Sequence, residues 1–215
     1  RRQRQMCIRD RIIKNKETLH PQDKVYMNQM NKSIALMHIG NEPLEQGMNI
    51  LGAHIDSPRL DLKQHPLYEE GDLAFFDTHY YGGVKKYQWV TIPLAIYGVV
   101  VLKSGKVIDI EIGDKEDDPV FVISDLLIHL ASKQMEKKAT TVITGESLNV
   151  TVGSIPLKGE KTQAVKANIL ALLKDKYGFE EEDFISAELE VVPAGKARSC
   201  GLDSSLILGY GHDDK

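Results

Sequence analysis

An apolar-rich run, a polar turn around Asn31 and Lys32, and then Ile34-Ala35-Leu36-Met37 predict a hairpin over residues 25–39. Residues 49–56 (NILGAHID) are mostly apolar and predict a strand buried on both faces. That strand should end at Ser57-Pro58, because proline has no backbone N–H to give to a ladder. Residues 60–87 are polar and read as irregular. Two strands are predicted over residues 90–103 and 106–112, joined through Ser104-Gly105. In the second strand Asp109 and Glu111 alternate with Ile108, Ile110 and Ile112, so one face should be wet. Ser124 opens a predicted helix, with Asp125 in its first turn and Lys137 and Lys138 at its end. A second helix is predicted over residues 162–177. Its apolar stripe is Val165, Ile169, Leu172, Leu173 and Tyr177, and Gly178 stands at its C-terminal cap. Strands over residues 187–192 and 206–210 complete the set, the last running into Gly211-His212-Asp213-Asp214-Lys215.

Composition narrows the class. In 215 residues, 42% are hydrophobic and 27% charged, an ordinary globular balance that excludes disorder over the whole chain. No run of eighteen apolar residues occurs, which excludes a predicted spanning helix. Cys7 and Cys200 make no disulfide framework, and no signal-peptide pattern opens the chain. A soluble, cytoplasmic protein without a membrane partner is the expectation. The net charge of −4 is unevenly spread. Residues 1–16 carry seven basic side chains against Asp10, so the other 199 residues sum to −10. The acidic remainder argues against a nucleic-acid partner, since phosphate would be repelled. Residues 1–11 read as a disordered or non-native basic arm, and Met6-Cys7-Ile8-Arg9-Asp10-Arg11 looks like translated sequencing-adapter read-through.

Two clusters could carry chemistry. His54 and Asp56 are two apart, so on a strand they would share a face at its C-terminal end, where open α/β sheets place ligands. The histidine could ligate a metal while the carboxylate fixes its tautomer. On the triplet alone, a plain polar strand end with Asp56 accepting backbone hydrogen bonds is the better reading. His212-Asp213-Asp214 could bridge paired cations, or form a solvated turn. Two such clusters still supply too few ligands for a complete two-metal site. His129, beside Leu126 and Leu130 on the predicted helix, is by itself most simply a packing residue. Tyr80-Tyr81-Gly82-Gly83 with Trp89 suits a glycine-containing turn with packing aromatics better than a pocket, and Cys200 beside Arg198 suits a buried thiol. The acidic run 180–183 reads as a solvated helix end. There is no phosphate-binding glycine loop and no G-x-S-x-G elbow.

Several separated motifs in order resemble the M18 family of zinc metalloaminopeptidases, the aspartyl-aminopeptidase family, most closely its bacterial branch. They are Gly52-Ala53-His54-Ile55-Asp56-Ser57-Pro58-Arg59-Leu60, His79-Tyr80-Tyr81-Gly82-Gly83-Val84-Lys85-Lys86-Tyr87-Gln88-Trp89, Asp118-Pro119-Val120-Phe121 with Leu126-Leu127-Ile128-His129-Leu130, and Ala187-Glu188-Leu189-Glu190-Val191-Val192-Pro193-Ala194. The resemblance runs from about Asp23 to Lys215. It implies an α/β fold class: a partial zinc-peptidase α/β domain with an inserted β-rich dimerisation domain carrying helices. On this reading residues 12–58 and 197–215 are pieces of the catalytic domain and residues 59–196 are the insertion. It implies two zinc ions per complete active site. His54 would be a zinc ligand, Asp56 would orient that histidine, and Asp213 would bridge the metals, with Asp214 as the other register. His129 would reach a neighbouring subunit's site in a homo-oligomer built from dimers into a dodecamer. Peptides are the implied substrates.

The sequence also departs from the family pattern. The given chain stops at Lys215, before the Glu-Glu pair, the aspartate and the final histidine that the family places next. Trp89 is followed by Val90-Thr91-Ile92-Pro93 rather than Asp-Arg-Asp, so a preference for acidic N-terminal residues is not carried over. The expectation is therefore a fragment of an aminopeptidase, inactive alone. Its rival is a non-catalytic dimerisation or assembly module.

Overall fold

The computed structural model describes residues 11–12, 18–30 and 32–211, and they fall into two compact units, Arg1–Ala53 and His54–Lys215. In the first unit β1 (Arg11–Ile12) pairs parallel with β2 (Lys24–Gln29), and β2 pairs antiparallel with β3 (Ser33–His38). The hairpin is the one predicted from its turn. The strand expected over residues 49–56 does not form. Ile50 is 80% exposed and Leu51 99% exposed. An apolar strand of this kind needs a neighbour on each side and a layer on each face. Among the described residues no strand pairs with this segment.

The second unit is built on a six-stranded sheet. Its strands are β4 (Arg59–Glu70), β5 (Leu73–Tyr81), β6 (Leu94–Val101), β7 (Val107–Ile112), β8 (Val150–Gly153) and β9 (Ala187–Pro193). The order is β7-β6-β9-β4-β5-β8, and every pairing is antiparallel. A short extended stretch then joins the two sides. Phe121 exchanges backbone hydrogen bonds with Leu94 of β6, at 2.8 and 2.9 Å, and the Thr151 N–H of β8 donates to the Val122 carbonyl at 2.8 Å. The ladder running from β6 through β9, β4, β5 and β8 therefore returns to β6, and β8 has no open edge at Thr151. Inside lie Leu60, Phe76, Leu94, Ile96, Val100, Ile110, Ile123, Leu148, Val150 and Val191, all buried.

The β4–β5 pair overturns the irregular reading of residues 60–87. Its turn, Gly71-Asp72, has φ of 57° and 60°, the two left-handed residues of a tight hairpin connection. The alternation is hidden because the register slips: Leu62 faces Thr78, but Leu67 faces Phe76. Three extra residues of β4 fall between those pairs, among Lys63, Gln64, His65 and Pro66. Thr78, buried on β5, donates its hydroxyl to the Leu148 carbonyl at 2.8 Å, which ties β5 to the start of β8.

The β6–β7 hairpin forms as predicted, with strands shortened to 94–101 and 107–112. Asp183 caps it from a distance. Its Oδ1 accepts the Lys103 N–H at 3.1 Å, while Oδ2 accepts the Glu180 N–H at 2.9 Å. The acidic run is therefore not wholly solvated: Asp183 is buried because two backbone donors satisfy its carboxylate.

Of the two predicted helices one forms fully. α1 (Ser132–Met135) is a single turn, preceded by a 3₁₀ turn over Ile128–Leu130, in place of a helix from 124 to 138. Asp125 accepts hydrogen bonds from its neighbour Leu126 N–H and from the Gln134 side chain, both at 2.8 Å. Leu127 and Leu130 stay about 70% exposed, and a helix without a surface to bury its apolar stripe gains little. α2 (Ala164–Tyr177) matches its prediction and ends at Gly178, whose N–H donates to Lys174 O. Val165, Ile169, Leu170, Leu173 and Tyr177 pack on the core, whereas Leu172 stays exposed. The predicted strand at 187–192 is β9, and that at 206–210 is β11 (Leu206–Leu208), paired with β10 (Arg198–Cys200). Among the described residues no helix is long and apolar enough to cross a membrane.

Gly98, on β6 with φ of 149°, allows β9 to approach so closely that a Cβ would overlap the Glu188 carbonyl oxygen. Gly98→Ala is therefore expected to lower unfolding stability by about 2–3 kcal/mol, read as an earlier midpoint in urea denaturation.

Candidate metal centre

Residues 54–58 have no regular structure, yet Asp56 and Pro58 lie against the far end of β5. Arg59 faces Tyr81 in the β4–β5 register, so the chain enters the sheet beside that tyrosine. Next to it Gly82 takes a left-handed φ of 78°, which favours glycine, and packs beside Pro58. Asp56 lies against Tyr81.

Asp56 is the hub of the resulting group. Its Oδ2 accepts the Tyr81 hydroxyl at 2.7 Å, and its Oδ1 lies 3.2 Å from the His54 Nδ1. Tyr81 is held in turn by Arg59, whose guanidinium carbon stands 4.1 Å from the centre of the tyrosine ring. The Arg59 Nε donates to Asp61 Oδ1 at 2.8 Å and lies 3.1 Å from Glu190 Oε1, so it is anchored to both β4 and β9. The Tyr81 hydrogen bond, helped by the nearby imidazole, holds the Asp56 carboxyl below its ordinary value. The same bond pushes the Tyr81 phenol up.

The expected pairing of His54 with Asp56 is present, although the strand that was to place both on one face is not. A carboxylate at Nδ1 selects the tautomer whose Nε2 would serve a metal, so the pair fits a metal-ligating histidine with its orienting acid. His54 is 73% exposed at its side chain and Asp56 46%, so both are accessible to an ion. Among the described residues no three His, Cys, Asp or Glu side chains converge into a cage.

The other expected site residues are not joined to this pair. Asp213 and Asp214 lie outside the described residues. His129 sits on the exposed 3₁₀ turn Ile128–Leu130. A cleft of about 560 Å³ lined by Asp125, Leu126, Leu130, Lys133 and Gln134 flanks that turn. Cys200 is half-buried on β10. Trp89 packs in the core edge-on to Tyr210, with ring centres 6.0 Å apart. Sequence reasoning passes over Tyr81 as a partner of Asp56, since nothing local says that its hydroxyl meets a carboxylate 25 residues earlier.

Residues 6–215 match the family model described as aminopeptidase I zinc metalloprotease (M18). A probable M18 family aminopeptidase 1 of Clostridium acetobutylicum is 60% identical over 205 residues, 95% of this chain and 44% of the relative. The crystal structure of an M18-family aminopeptidase from Thermotoga maritima superposes with a TM-score of 0.88 at 47% identity, covering 94% of this chain and 45% of that one. At 19% identity and a TM-score of 0.57, covering 86% of this chain and 40% of the other, the S. cerevisiae mApe1 dodecamer shares the fold. The chain thus spans less than half the length of these relatives.

A carboxylate whose value is lowered on folding contributes above its ordinary value, here 3.8, and loses that contribution as pH falls through the lower folded value. The Tyr81–Asp56 contact is therefore expected to persist at pH 3.8 and to open only below it. Carbon-13 NMR of the Asp56 carboxyl should show this, with the midpoint rising in Tyr81→Phe.

Proposed function

The chain belongs to the M18 family of aminopeptidase I zinc metalloproteases, and from that premise we propose that it carries part of the active site of an enzyme that removes N-terminal residues from peptides. The observation that carries the reading is the His54–Asp56 pair, hydrogen-bonded at 3.2 Å in the motif that the resemblance assigns to metal binding. His54 would hold zinc through Nε2, and Asp56 would set the imidazole ring. Asp213 would be the bridging ligand of a two-zinc site, with Asp214 as the alternative register. Zinc bound there supplies a Lewis acid that polarises the scissile carbonyl and the attacking water.

The division of labour follows the same reading. Residues 12–58 and 197–215 would belong to an α/β catalytic domain, and residues 59–196 to an inserted dimerisation domain. The closed sheet supports an insertion that carries its own core. The acceptor for the water's proton would come from the part of the relatives' length that this chain does not cover. In a homo-oligomer, for which the dodecameric fold neighbour is the support, His129 would turn from its exposed turn toward a neighbouring subunit's substrate. There a ring N–H of His129 would donate to the negative charge developing on the carbonyl oxygen.

The test uses a chromogenic amino-acid amide with zinc. The 215-residue chain alone is expected to release no product. The full length of the Clostridium acetobutylicum relative, with this chain in place of the 205 residues it matches, is expected to be active. In that longer chain His54→Ala should abolish turnover, and Asp56→Ala should lower kcat/KM by about 10–100-fold. Zinc-dependent release by the 215-residue chain, or full activity of His54→Ala, would overturn the assignment.

A further inference from the structure

We propose that Tyr81 is a positioning residue for the metal centre: from its fixed place on the sheet it holds the Asp56 carboxylate in the orientation that orders the His54 ring. The inference rests on the reading of His54 as a metal ligand and extends it to a residue outside the ligand set.

Three features carry it. The first is the hydrogen-bonded line itself, Tyr81 hydroxyl to Asp56 Oδ2 at 2.7 Å and Asp56 Oδ1 to His54 Nδ1 at 3.2 Å. The two carboxylate oxygens are used on opposite partners, so rotating the carboxylate away from Tyr81 would also take it away from the imidazole. The second is the difference in support along that line. His54 and Asp56 are on irregular chain, whereas Tyr81 is the last residue of β5 and pairs with Arg59. The Arg59 guanidinium stacks on the Tyr81 ring and is anchored by Asp61 and Glu190. Rigid support for an orienting acid is what a loop-borne metal ligand otherwise lacks. The third is the packing of Gly82 beside Pro58, which sets the end of β5 against the segment two residues after Asp56. Tyr80, the adjacent tyrosine, is engaged elsewhere: its ring stacks on His79 and lies under Lys86.

The orientation has a chemical consequence. In water a neutral imidazole prefers its proton on Nε2. A carboxylate held at Nδ1 reverses that preference and turns Nε2 into the lone-pair donor a metal needs. Loss of the Tyr81 hydroxyl would let the acid rotate, and the ring would revert toward its solution tautomer.

The experiment uses the 215-residue chain, with zinc ion alone as the probe. Long-range nitrogen-15 NMR reads the His54 tautomer, and the same resonances followed through a zinc titration read the affinity of that residue. Tyr81→Phe keeps the ring and its stacking on Arg59. It is expected to shift the population toward the Nε2–H form and to weaken zinc binding by about fivefold, with the melting temperature unchanged. Tyr80→Phe should change neither. In an Asp56→Ala background Tyr81→Phe should add no further loss, which separates action through Asp56 from a general structural effect. An unchanged tautomer and an unchanged zinc affinity in Tyr81→Phe, with His54→Ala still losing zinc, would overturn the role of Tyr81 alone. Zinc binding that survives His54→Ala would instead overturn the metal-ligand reading beneath it.

Discussion

The backbone hydrogen bonds made by Phe121 and Val122 close the circuit of strands, and the second unit depends on that closure. With Phe121 on Leu94 and Val122 on Thr151, the ladder joining β6, β9, β4, β5 and β8 has no break. Buried strands must pair their N–H and C=O groups, and an open end would leave those groups to water or to another chain. Closure also places one apolar face inward all the way round. A single core running from Leu60 to Val191 can then fill it.

That rigidity is exported to the candidate metal centre at one point. β4 begins where the irregular segment carrying His54 and Asp56 ends, and β5 finishes beside it. Arg59 and Tyr81 form the junction. Arg59 has carboxylates on two strands, and Tyr81 passes that fixity to Asp56 through its hydroxyl. In an exposed segment an isolated His–Asp pair is worth little, because solvent competes for both partners. A pair whose acid is held by a residue of a packed sheet starts from a narrower set of orientations. The candidate metal centre would then borrow order from the packed sheet.

The elements legible in the sequence are those whose cause is local. The β2–β3 and β6–β7 hairpins carry their turns with them. α2 carries its stripe and its glycine cap, and β9 its apolar run. The pairing of His54 with Asp56 was also legible, since residues two apart in extended chain fall close together whether or not a ladder forms. The failures share a cause as well. β4 and β5 were concealed by a slip that breaks period two at Lys63–Pro66, and β8 is too short to show a pattern. The helix expected over residues 124–138 and the strand over 49–56 have the right apolar content but lack, among the described residues, a surface to bury it.

By itself the sequence determined the family, the turn-bounded hairpins, the long helix and the His–Asp motif, because each is written in residues within a few positions of one another. Only the tertiary structure decided that the sheet closes, that Asp183 is a buried cap rather than a solvated acid, and that Tyr81 is the partner of Asp56. Those outcomes are contacts between segments tens of residues apart. Their energy comes from satisfying polar groups that packing has removed from water, and no local pattern encodes which distant group will do so.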